Sequence, residues 1–122
     1  MSQDPVQYKA PISFSITVTS DEYPVRSFVL SQTKMLGMKF YDDQQKITLV
    51  IYDDEFAEMS DLQLSQFTLF LFSILCVTQF YGLSYLPACT QDFASRCDHL
   101  PNYYAQMWAE CFKTMNSKLQ QL

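Results

Sequence analysis

The chain predicts an α+β fold: a small antiparallel meander of about four strands over residues 12–53, followed by two or three helices near 60–81, 90–97 and 101–121 packed on one face. Three observations predict it. Apolar residues alternate strictly with hydroxyl residues from Ile12, and the period changes to a helical one after Ser60. The third is composition. The 122 residues are 48% hydrophobic and only 17% charged, which suits one domain spanning residues 1–122 with a real core.

Residues 1–10, polar and bordered by Pro5 and Pro11, are expected to form an arm or a loosely attached edge. In the first strand Ile12, Phe14, Ile16 and Val18 face one way, and Ser13, Ser15, Thr17 and Thr19 the other. Ser20-Asp21-Glu22 reads as a turn. The segment from Tyr23 to Gln32 is ambiguous: Pro24 after acids could open a short helix, but Val25, Phe28 and Val29 favour a second strand, which is the expectation taken. Lys34–Tyr41 and Lys46–Tyr52 read as a hairpin around Asp42-Asp43-Gln44-Gln45, and the near-continuous apolar run Ile47–Tyr52 suits a central strand.

Ser60-Asp61-Leu62-Gln63 is a capping box, with Gln63 placed to reach back to the Ser60 backbone. The helix it opens should run to Tyr81 and stop at Gly82 in a left-handed conformation. Apolar around most of its circumference, it is expected to be buried on nearly every side. Its uncharged core, Phe67–Tyr81, is about 15 residues, short of the roughly 20 that span a bilayer, and neither end is flanked by Lys or Arg. Thr90 can cap a short helix, and Pro101 suits the first turn of a last one. There Tyr104, Met107, Trp108, Cys111, Phe112, Met115, Leu119 and Leu122 recur at spacings of three and four.

Composition excludes much chemistry. With only Gly37 and Gly82, no Gly-rich phosphate loop or dinucleotide fingerprint can be written. A net charge of −5 with eight scattered basic residues argues against direct nucleic-acid binding. Met1–Gln7 lacks the basic and apolar regions of a secretory signal, so the expected compartment is cytoplasmic and the thiols are expected to be reduced.

Four constellations remain. Cys89, Cys97, His99 and Cys111 are chemically a tetrahedral zinc set, but the seven residues between the first two thiols are too many for a zinc knuckle, and the blander reading is packing. A thiol paired with His99 is a possible nucleophile, although thiols on buried helix faces are inert. Asp42, Asp43, Asp53, Asp54, Glu55, Glu58 and Asp61 place seven of the 13 acids in 20 residues. They could dock a basic partner, or simply solvate a turn and a loop, and opposite ends of a strand would make them two patches. Among the aromatics, Met107, Trp108 and Phe112 read as core, and Tyr81, Tyr85 and Tyr103 as candidates for an exposed contact surface.

Size and acidity resemble those of small inhibitor, immunity and adaptor or chaperone proteins, a likeness of composition that carries no motif. The function expected is therefore a non-catalytic acidic module, without a cofactor, that binds another protein, the partner having a basic face. A binder of an apolar small molecule between sheet and helices is the alternative, and a thiol- or zinc-dependent protein the weaker one. A homodimer through a sheet edge or the last helix is also open.

Overall fold

The computed structural model describes residues 11–119, without the side chains of residues 112 and 114–119. The expected arm at 1–10 and the expected core roles of Phe112, Met115, Leu119 and Leu122 lie outside what is described. In chain order the elements are β1 (Ile12–Thr19), α1 (Tyr23–Met35), β2 (Lys39–Asp42), β3 (Lys46–Tyr52), α2 (Asp53–Glu58), α3 (Asp61–Tyr81), β4 (Tyr85–Cys89), α4 (Gln91–Asp98) and α5 (Asn102–Leu119). The fold is α+β, with a four-stranded antiparallel sheet followed by helices.

The strands lie in the order β2-β3-β1-β4, so β1 is flanked by β3 and by β4. Register puts Phe14 beside Ile51 and Cys89, Ile16 beside Leu49 and Pro87, and Val18 beside Ile47 and Tyr85. These residues share the face that all the helices cover. Phe14, Ile16 and Val18 form one cluster with Val25 and Val29 of α1, Leu64, Phe67, Leu71 and Ile74 of α3, Phe93 of α4 and Trp108 of α5. Four rings meet at its centre, with Phe14 4.9 Å from Phe67, 5.2 Å from Phe93 and 6.4 Å from Trp108 between centroids. On the other face Thr17 and Thr48 share a hydroxyl contact of 3.1 Å.

Three expectations are corrected. Tyr23–Gln32 is helix, not strand, and it continues through Met35, so the first hairpin arm is Lys39–Asp42 and not Lys34–Tyr41. Pro24 sits in the first turn, where its missing N–H costs nothing. Val25, Val29 and Thr33, four apart, are the buried face, and the Thr33 hydroxyl donates to the Val29 carbonyl at 2.6 Å. Helical spacing outweighed the β-branched composition. The sheet is also not a sequential meander within 12–53, because its fourth strand is β4, beyond α3. There Tyr85 and Pro87 are buried while Leu86 and Ala88 are exposed, a strand period. Proline is tolerated because β4 is an edge.

The helix signals behave as their chemistry demands. Ser60 Oγ accepts from Gln63 N at 3.1 Å, and Gln63 Oε1 accepts from Ser60 N at 2.8 Å. Gly82 closes α3 at φ 68° while Leu83 N–H donates to the Thr78 carbonyl at 2.8 Å. Thr90 caps α4 through Phe93 N, 3.3 Å away. Asp53–Glu58, read as a loop, is a short helix whose first turn carries three acids at the favourable end of its dipole.

Candidate functional site

The acidic segment was the first candidate, and most of its carboxylates are already engaged within the chain. Asp42 pairs with Arg26 and accepts from Gln44 N at 2.9 Å. Burial pushes the Asp42 carboxyl up, but these partners outweigh it and hold the group below the usual carboxylate value. Asp43 accepts from Gln45 N and Lys46 N at 3.1 and 2.6 Å, forming the turn. Ser13 donates to Asp53, and Glu55 N–H donates to Asp54 at 2.9 Å. Glu55 accepts from Tyr52 N at 2.9 Å and lies 3.7 Å from Lys39 Nζ. Asp61 faces Arg96 at 3.2 Å. Glu58 is exposed. The seven residues of β3, about 23 Å of strand, separate the Asp42–Asp43 turn from the Asp53–Glu58 helix. The acids are two patches.

The thiols divide by depth. Cys76 is exposed, Cys89 half-buried, and Cys97 and Cys111 buried. Burial pushes Cys89 up to about 11 and Cys111 up to about 12, and raises Cys97 as well. His99 ends α4, exposed, with Nδ1 2.8 Å from the Ser95 carbonyl. Among the described residues no three His, Cys, Asp or Glu side chains are gathered as a metal site.

The three tyrosines also separate. Tyr85 is 4% exposed and is corrected from surface to core: β4 turns it inward beside Val18. Its buried hydroxyl has no hydrogen-bond partner of ordinary geometry, and burial beside the Cys111 thiol raises its pKa. Tyr81 and Tyr103 remain at the surface. Met107 and Trp108 are core, as their spacing predicts.

Two features were not read from the sequence. The first is the outer face of α3. Leu64, Phe67, Leu71 and Ile74 are its core side, but the helix is not buried all round. Leu62, Gln66, Leu69, Ser73, Cys76 and Phe80 fall on the opposite side at spacings of four and three. Leu62 is 67%, Leu69 45% and Phe80 84% exposed. The Ser73 hydroxyl donates to the Leu69 carbonyl at 2.9 Å, so even the serine presents little polarity. Hydropathy alone could not find this face, because it reports how apolar a helix is and not which side its neighbours cover. By length and composition α3 could cross a membrane, and half of the relevant window is buried inside the protein.

The second feature is a cavity of about 330 Å³ where β3 ends, between the α1–β2 turn, α2 and α3. Met35, Met38, Met59, Val50, Ile51 and Phe67 give it apolar walls, and Glu55, Gln63 and Gln66 a polar rim. Three of the chain's six methionines meet there from separate elements, which no local spacing announces.

No family model, curated protein or solved structure matches the chain.

Proposed function

We propose that the protein is a non-catalytic protein-binding module that docks its partner on the outer face of α3, a design compatible with an inhibitor, immunity or adaptor role. The observation that carries this reading is the exposed side of α3: Leu62, Leu69 and Phe80 stand exposed on one side of a helix with no charged side chain after Asp61. Exposed aromatic and aliphatic residues aligned on one helix face suit anchors for an interface. The engaged acids support a lesser role for charge in affinity. The raised pKa values of Cys89 and Cys111, both buried to a degree, support reading these two thiols as packing groups, since a nucleophile needs thiolate.

The test is capture from a native extract with wild type, Phe80→Glu and the pair Asp54→Lys with Glu58→Lys. Loss of capture only in Phe80→Glu upholds the reading. Loss only in the charge-reversed protein returns recognition to the acids.

The cavity favours a second reading, an apolar small-molecule binder. Its volume is at the lower end of ligand sites, about 300–1,000 Å³, and thioethers adapt to a ligand's shape. A native mass spectrum of protein purified without lipid extraction should then show added mass, absent in a Met59→Trp variant that fills the cavity. Identical, unliganded spectra contradict it.

A further inference from the structure

We propose that the partner on this face is a second copy of the chain, its α3 laid antiparallel against the first; this rests on the reading of that face as the docking surface.

Charge is the first support. Two copies of a chain with net charge −5 repel over most of their surfaces. From Leu62 to Gln91 the sequence holds no Asp, Glu, Lys or Arg, so the outer face of α3 itself sets no like charges against a second copy. The same acidity disfavours an anionic lipid surface as the occupant.

Spacing then sets the register. Like any helix stripe with alternating steps of four and three, Leu62, Gln66, Leu69, Ser73, Cys76 and Phe80 read the same from either end. An antiparallel alignment centred on Leu71 sets Leu62 against Phe80 of the second copy, Gln66 against Cys76, and Leu69 against Ser73. Large side chains meet at both ends, and the small Ser73, its hydroxyl already bonded, leaves room for Leu69. Pairing through the sheet is a poorer route, since one edge strand carries Pro87 and the other has only four residues.

The test is sedimentation velocity of the purified chain over a concentration series, with added-oxidant crosslinking. Wild type should reach twice the monomer mass. Phe80→Glu and Leu62→Glu should each raise the dissociation constant about tenfold or more, with a melting curve that matches wild type at concentrations where wild type is monomeric, because both sites are exposed in the single chain. In the antiparallel register the two Cys76 residues lie about 15 Å apart along the helix, ten residues of rise, so oxidised wild type should not crosslink. Gln66→Cys should crosslink readily, because the new thiol faces Cys76 of the second copy. A wild-type chain that stays monomeric throughout overturns the second copy as partner. If the stripe variants still lose capture of another protein, the docking reading survives that failure. A dimer unaffected by either glutamate, or wild type crosslinking as fast as Gln66→Cys, overturns the antiparallel interface.

Discussion

Residues 42–61 are the most charged stretch of the chain and residues 62–81 among the least, yet the first is largely engaged with the chain itself while the second leaves a side unused. Six of the seven acids serve a turn, a helix start or an ion pair. Along α3, by contrast, only the inner side is packed. Side chains left exposed are the ones available to a partner outside the chain, and charge density alone does not show which those are.

Phe67 and Phe80 give the sharpest way to separate the two sides of α3, since residue type and helix are shared. Phe67 is 2% exposed and meets Phe14 and Phe93, so Phe67→Ala should cost about 3–5 kcal/mol in urea denaturation. Phe80→Glu should instead leave stability within about 0.5 kcal/mol of wild type while weakening partner capture about tenfold, about 1.4 kcal/mol. If Phe80→Glu destabilised the protein as much as Phe67→Ala, the outer face would be structural.

On the acidic side the expected effects are smaller. Ser60→Ala removes the cap joining the two stretches and should cost about 1 kcal/mol. Asp42 adds a dependence on pH. Its folded pKa lies below the unfolded value, so its stabilisation is full above the unfolded value of about 3.9 and is lost as pH falls through the lower folded one. Asp42→Asn should flatten that part of the acid denaturation profile, and an unchanged profile would mean the Arg26 pair contributes nothing. Smallest of all, Asp54→Lys with Glu58→Lys should change capture less than about twofold.

How much of this was legible depends on the range of the interactions. Capping at Ser60 and Thr90 and the stop at Gly82 are local, and all three could be read directly. The helix at Tyr23–Met35 was misread because Val25, Phe28 and Val29 suit a strand by type, while the spacing of Val25, Val29 and Thr33 that decides it spans a single face. Strand β4 was missed because Pro87 discourages a strand wherever edge and centre cannot be told apart. The methionine cavity and the outer face of α3 depend on which elements become neighbours, and no window of sequence contains that.

Cys76 offers the most direct measurement, because it sits on the stripe and is the exposed thiol of the four. Its alkylation, followed by intact mass, should slow as the outer face of α3 becomes covered, either at rising protein concentration or in native extract, and should stay fast in Phe80→Glu. Equal rates for the two proteins under every condition would show that nothing docks there.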